Sequence, residues 1–87
     1  MIQKLIENKI NNLTLENLKI LADNNNITLN NQELDYLYHK IKKDWYNFLY
    51  NDPNPILKEV KENINQNSYN KLINLYIYYK NKYQNYL

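Results

Sequence analysis

The chain has 87 residues, 44% of them hydrophobic, and a formal net charge of +2, a size that suits one domain with a single core. It contains no cysteine, which excludes disulfides, thiolate zinc sites and cysteine nucleophiles. All of its basic side chains apart from one histidine are lysines, and the absence of arginine, the preferred bidentate ligand of phosphate and guanine, weakens a nucleic-acid-binding interpretation.

Two short helices are predicted at the start of the chain. Apolar residues recur at three- and four-residue intervals from Ile2 to Asn11, which predicts the first helix. Thr14 is a good N-cap for a second helix from Leu15 to about Asn24, because its hydroxyl can accept a backbone N–H. The asparagines at 24–26 end that helix, since asparagine tolerates the left-handed conformation. We expect the second helix to bury Leu15, Leu18, Leu21 and Ala22.

A long third helix follows a short extended link at residues 27–30. Asn30 and Glu33 have the spacing of a capping box, so this helix is predicted to begin at Asn31. Its apolar period continues to Tyr50, although a break near Asp44 is an alternative. Residues 51–55 contain two prolines, each of which disfavours helix at the preceding residue, and they end the third helix.

Two more helices complete the chain. Asn54 can cap a fourth helix with Pro55 at its first position. Asn67 or Ser68 can cap a last helix that reaches toward Tyr86. We expect the fourth helix to bury Ile56, Leu57, Val60 and Ile64. The predicted core face of the last helix comprises Tyr69, Leu72, Ile73, Tyr76, Ile77 and Tyr83.

These elements predict an all-α protein, a compact single-domain bundle of four to five short helices over residues 1–87. Its abundant asparagine, lysine, isoleucine and tyrosine are typical of the codon usage of an AT-rich genome, so the asparagines are poor evidence of function.

No apolar run approaches the roughly 20 residues that span a bilayer, and the N-terminus lacks a secretory pattern, so we expect a cytoplasmic protein. The predicted core comprises Leu18, Leu21, Leu34, Leu37, Ile41, Val60, Leu72, Ile73 and Tyr76.

Residue patterns that could support catalysis are weak. His39, the single histidine, lies four residues after Asp35, but no nucleophile or second histidine accompanies it. Glu59 and Glu62 could share a helix face as paired acids do, yet they alternate with Lys58 and Lys61, and such mixed charge is typical of an exposed surface. No glycine is present to form a phosphate-binding loop. We therefore predict no enzyme activity, catalytic residue, cofactor or metal site.

The last helix carries the positive excess of the chain. Residues 1–68 contain eight lysines and nine acids, whereas the rest contains three lysines and no acid. Beyond its core face, this helix has a second stripe that we predict to be a binding face and name the tyrosine face: Lys71, Leu75, Tyr78, Tyr79, Lys82 and Tyr86. Tyrosine is enriched at protein interfaces, and tyrosine with lysine also suits stacking on single-stranded bases. The candidate partners are a protein, either another copy or a different chain, and alternatively nucleic acid or an anionic membrane surface. Burial of the stripe beneath the first helix is the remaining alternative.

Two resemblances extend this interpretation. Residues 8–14, 16–19, 27–29 and 56–60 resemble the YqfT-like family, small proteins of low-GC Gram-positive bacteria. That likeness continues into the last helix and covers most of the chain. Its motifs are structural, namely leucines, a cap and a link, and it implies no activity and no catalytic residues. Residues 45–50 depart from the family pattern. The second helix, its link and the next helix also look like the helix-link-helix of SAP-type and Rho N-terminal nucleic-acid modules, without their glycine and dense basic residues. This local similarity implies nucleic-acid binding as the alternative function.

Overall fold

The computed structural model describes residues 2–83, except for the side chains of Ile2 and Tyr83. Over this range the chain is all-α and contains no strand, which confirms the predicted fold class. The first three helices have the predicted bounds, and the third continues unbroken through Asp44. The helices are α1 (Ile2–Asn11), α2 (Leu15–Asn24), α3 (Asn31–Tyr50), α4 (Asn54–Asn63) and α5 (Gln66–Tyr83).

Helix α2 is capped at both ends as the sequence predicts. The Thr14 hydroxyl accepts the Asn17 backbone N–H at 3.0 Å, and the Asn17 side chain closes the capping box. At the other end Asn26 has φ 59°, the left-handed conformation usually taken by glycine. This turn lets the Ile27 N–H donate to the Ala22 carbonyl at 2.9 Å, which directs Ile27 into the core.

The predicted caps of the last two helices are wrong. Asn54 lies inside α4, where its N–H donates to the Asp52 side chain at 3.1 Å. Helix α5 begins at Gln66, and Asn65 is its cap, because the Asn65 side chain accepts the Ser68 N–H at 2.8 Å. Ser68 is instead the most buried polar residue among those described, and its hydroxyl donates to the Thr28 carbonyl at 2.5 Å.

Helix α3 is the centre of the bundle, and α1, α2 and α4 all pack against it. Asn65, just after α4, bonds to Glu33 in the first turn of α3, so α4 runs antiparallel to α3. The core lies between these helices and α5. Its buried apolar residues are Leu18, Ala22, Ile27, Leu34, Leu37, Val60 and Ile64.

Burial confirms four of the predicted core positions, Leu18, Leu34, Leu37 and Val60. Four others are half-buried: Ile41, Leu72, Ile73 and Tyr76. Leu21 is wrongly predicted, since it is 47% exposed, and Leu15 and Ile77 are also exposed. Helix α2 packs against the bundle through Leu18 and Ala22. Leu21 follows Leu18 by three residues, so it is rotated by about 60° around the helix axis from Leu18, on the side away from Ala22.

No helix within residues 2–83 has the length and apolar character needed to cross a membrane.

Candidate binding face on the last helix

The tyrosine face lies at the surface of α5. Tyr78 is 58% exposed and Tyr79 is 45% exposed, so α1 does not bury them. Lys71 and Lys82 are also exposed, and Leu75 is half-buried. Tyr86, the sixth predicted member, lies outside the described residues.

Two side-chain hydrogen bonds fix the orientation of α5 in the bundle. The Ser68 hydroxyl donates to the Thr28 carbonyl near the start of the helix. Further along, the Tyr76 hydroxyl donates to the Phe48 carbonyl at 2.7 Å. Because Ser68, Leu72 and Tyr76 recur every four residues, they lie on one side of α5. Tyr78 lies about 160° around the helix from Tyr76 and is thereby turned away from the Phe48 contact. Tyr79 lies on the same side as Ser68 and Leu72, and it is exposed in the turn of α5 that follows Tyr76.

Helix α2 adds an apolar residue to the same surface. Leu21 and Leu75 line one small cleft between α2 and α5. Leu21 is exposed rather than buried, so the apolar part of the tyrosine face continues from Leu75 onto α2. The sequence pattern gave no signal of this role, because Leu21 has the spacing expected of a core residue.

A polar groove runs beside these apolar residues. It has a volume of about 420 Å³ and contains Lys71, which donates from its Nζ to the Asn26 carbonyl at 2.7 Å. This bond ties α5 to the turn that ends α2. The complete lining is Asn25, Asn26, Lys71, Asn74, Leu75 and Tyr78. Amide and ammonium groups therefore border one side of the exposed aromatic rings.

The aromatic rings and lysines of α5 contact one another closely. The Tyr78 and Tyr79 rings meet edge to face, with 5.2 Å between their centroids. The Lys82 Nζ lies 5.9 Å from the centroid of the Tyr78 ring, and the Lys80 Nζ donates to the Tyr76 hydroxyl at 3.3 Å. The positive charges thus lie against aromatic rings of their own helix, where they add a basic rim to an apolar surface.

A second polar cluster joins α3 to α4. The Lys40 Nζ lies 2.8 Å from an Asp44 carboxylate oxygen and also contacts Glu59, which accepts a hydrogen bond from the Tyr36 hydroxyl at 3.2 Å. Hydrogen bonds to Asp44 and then Glu59 raise the pKa of Lys40, and the Lys40 hydrogen bond lowers the pKa of Glu59. The pKa of Tyr36 is raised, chiefly by burial. All three groups therefore keep their ordinary protonation state at neutral pH, which suits a structural ion-pair network.

His39 lies beside Asp35, as its spacing predicts, but both side chains are exposed. The His39 Nδ1 lies 2.9 Å from the Asp35 backbone oxygen and 3.6 Å from its carboxylate, and both side chains are largely in solvent. Of the predicted acid pair, Glu59 is engaged by Lys40, and Glu62 is exposed. Within residues 2–83, no three histidine, aspartate or glutamate side chains are grouped so as to hold a metal ion.

No protein-family model, curated protein or solved structure matches this chain. The resemblance to the YqfT-like family therefore stays a prediction.

Proposed function

We propose that this chain is a non-catalytic, cytoplasmic binding protein that meets a partner protein through the tyrosine face. The observation that carries the proposal is the exposure of Tyr78 and Tyr79 beside Leu75 and Leu21. An apolar surface rimmed by polar residues is typical of an interaction site, and tyrosine is among the residues that contribute most to binding.

Charge supports a particular kind of partner surface. Lys71, Lys80 and Lys82 lie on α5, and the described part of that helix contains no acidic residue. Complementary charges align two proteins and disfavour wrong partners. The partner should therefore offer an apolar centre bordered by aspartate or glutamate. A second copy of this chain is one such candidate, because it carries nine acidic residues.

The test compares single tyrosine-to-alanine variants. Tyr78→Ala and Tyr79→Ala should each abolish or strongly weaken a complex seen by light scattering of the pure protein or by affinity capture from the native host. Tyr46→Ala is the matched control, because Tyr46 lies on α3 and is exposed to the same 45% as Tyr79. Complexes that survive both α5 substitutions as well as they survive the control would refute the proposal.

Binding of single-stranded nucleic acid is the second candidate function. It is favoured by the Lys82 ammonium beside the exposed Tyr78 ring, which combines a charge for phosphate with a surface for base stacking. In that case affinity should fall with salt, with a log-log slope of about −0.7 per phosphate contacted. Each tyrosine substitution should then cost about 1 to 3 kcal/mol of binding free energy. A protein complex held by the apolar centre should depend little on salt.

A further inference from the structure

An apolar cavity of about 240 Å³ lies between α1, α3, α4 and α5 and is partly open to solvent. It is separate from the tyrosine face, since none of the five described residues of that face lines it. The residues of its wall that matter here are Ile6, Ile10, Trp45, Leu72, Ile73 and Tyr76.

The wall of the cavity offers no partner for a polar molecule. Nearly all of its surface is carbon, and the Tyr76 hydroxyl is taken by the Phe48 carbonyl at 2.7 Å. An ordered water needs about two to four polar partners, and this wall exposes almost no polar surface to provide them. Charged or strongly polar ligands are excluded for the same reason, because burial would leave their polar groups unpaired.

Helix α1 forms one side of the cavity and is anchored at one end. Ile6 and Ile10 are four residues apart, so they line the cavity from the same face of α1. The Lys42 Nζ donates to the Asn11 carbonyl at 3.0 Å, and the Tyr38 hydroxyl donates to the Leu13 carbonyl at 3.1 Å. Both bonds hold the C-terminal end of α1, whereas Ile6 and Ile10 contribute only apolar side chains at the cavity itself.

We propose that this cavity is a binding site for a small uncharged hydrocarbon-like molecule, an aromatic ring or short alkyl chain of about ten carbon atoms. The size follows by comparison, because an apolar cavity of about 150 Å³ admits benzene. A helix from a partner protein does not fit, since its side chains give it a diameter of about 10 Å along its whole length. The aromatic rings of Trp45 and Tyr76 favour an unsaturated ligand by edge-to-face contact.

The experiment uses n-butylbenzene as the probe and the fluorescence of Trp45 as the readout. Trp45 is the single tryptophan of the chain and lines the cavity, so its emission should change on binding. We expect a saturable change with one site per chain and a higher midpoint of thermal unfolding, since a ligand that binds only the folded state stabilises it. Absence of any saturable change up to the solubility limit of the probe would overturn the proposal.

Two matched substitutions on α1 locate the probe. Ile10→Phe adds volume inside the cavity and should weaken binding by at least about tenfold, because an overfilled apolar site leaves no room for a ligand. Leu5→Phe makes the same kind of change at an exposed position that does not line the cavity, and it should leave the affinity unchanged. Equal affinities in both variants would place the probe elsewhere and overturn the proposal.

A second readout keeps the proposal testable if Ile10→Phe does not fold. Amide and methyl NMR shifts of the unmodified protein during the titration should move at Ile6, Ile10 and Ile73. Shifts confined to Tyr78 and Tyr79 would mean that the probe binds the tyrosine face instead, and the cavity proposal would be refuted. Tyr78→Ala should leave binding of n-butylbenzene unchanged, so failure of the proposed function and failure of this inference are distinguishable.

Discussion

Glu33 holds Asn65 across 32 residues of sequence, with its Oε2 accepting the Asn65 backbone N–H at 2.5 Å. Its Oε1 accepts the Asn30 N–H at 2.9 Å, so the same carboxylate completes the capping box of α3. Asn65 caps α5 and also donates from its side chain to the Thr28 carbonyl at 3.0 Å. One carboxylate therefore links the starts of α3 and α5.

Glu33→Ala should destabilise the fold by about 1 to 2 kcal/mol, because it removes a cap and a charge-assisted hydrogen bond that are both half exposed. Urea unfolding followed by circular dichroism measures this change. Glu62→Ala is the control, since Glu62 is an exposed glutamate on α4, and it should change the free energy of unfolding by less than about 0.5 kcal/mol. Equal effects of the two substitutions would contradict the linking role of Glu33.

The pH dependence of stability should include a contribution from Glu33. Its pKa is lowered, first by the Asn30 hydrogen bond and also by hydrogen bonds from Asn65. A carboxylate with a lowered pKa in the folded state stabilises the fold above its unfolded pKa of about 4.3 and loses that contribution as pH falls through the folded value.

Glu33→Gln removes this titration. The variant should therefore be less stable than the wild type at about pH 6 and should approach it as the pH falls to about 3. Thermal unfolding midpoints over this range provide the measurement. A constant difference between the two proteins at every pH would show that the Glu33 charge makes no contribution.

Lys40 and Lys19 offer a comparison between an enclosed and an exposed ion pair. The side chains of Lys40 and its partner Asp44 are each 15% exposed, whereas those of Lys19 and Asp23 are each 61% exposed. Lys40→Met leaves the Asp44 carboxylate enclosed without a cation and should cost about 1 to 3 kcal/mol. Lys19→Met should cost no more than about 0.5 kcal/mol, the usual value of an exposed helix pair.

Chemical denaturation in low and high salt separates the two cases further. Salt should reduce the small effect of Lys19→Met and leave most of the effect of Lys40→Met, because enclosed pairs are screened less. Similar losses for both substitutions would mean that enclosure by α3 and α4 adds nothing to the Lys40 pair.

The sequence predicts the helices well where their signals are local. Thr14 and Asn30 act as caps through residues three positions away, so α2 and α3 begin where expected. The start of α5 is different, because residues 65–68 offer three cap-forming side chains in four positions. The choice of Asn65 depends on Ser68 pointing inward to Thr28, 40 residues earlier, and helical period contains no such information.

The candidate site is predictable only in part for a similar reason. Helical period separates a core face from a second stripe on α5, but it does not reveal where α1 packs. Whether Tyr78 and Tyr79 are covered is thus a question of tertiary structure. Leu21 illustrates the same limit, because Leu18, Leu21 and Ala22 have equivalent spacing and only the position of α2 on α3 decides which of them is exposed.

Leu37 and Leu21 provide the sharpest test of this core. Leu37 is 4% exposed in the first half of α3, so Leu37→Ala should lower the free energy of unfolding by about 2 to 5 kcal/mol through lost burial and the cavity left behind. Leu21→Ala makes the same chemical change at a 47% exposed position and should cost less than about 1 kcal/mol. Urea unfolding of both variants measures the difference. If the slope of the unfolding free energy against urea concentration is the same as in the wild type, the substitutions have changed stability and not the compactness of the folded or unfolded state. If Leu21→Ala instead proved as damaging as Leu37→Ala, the packing of α2 described above would be wrong, and Leu21 would belong to the core rather than to the surface beside the tyrosine face.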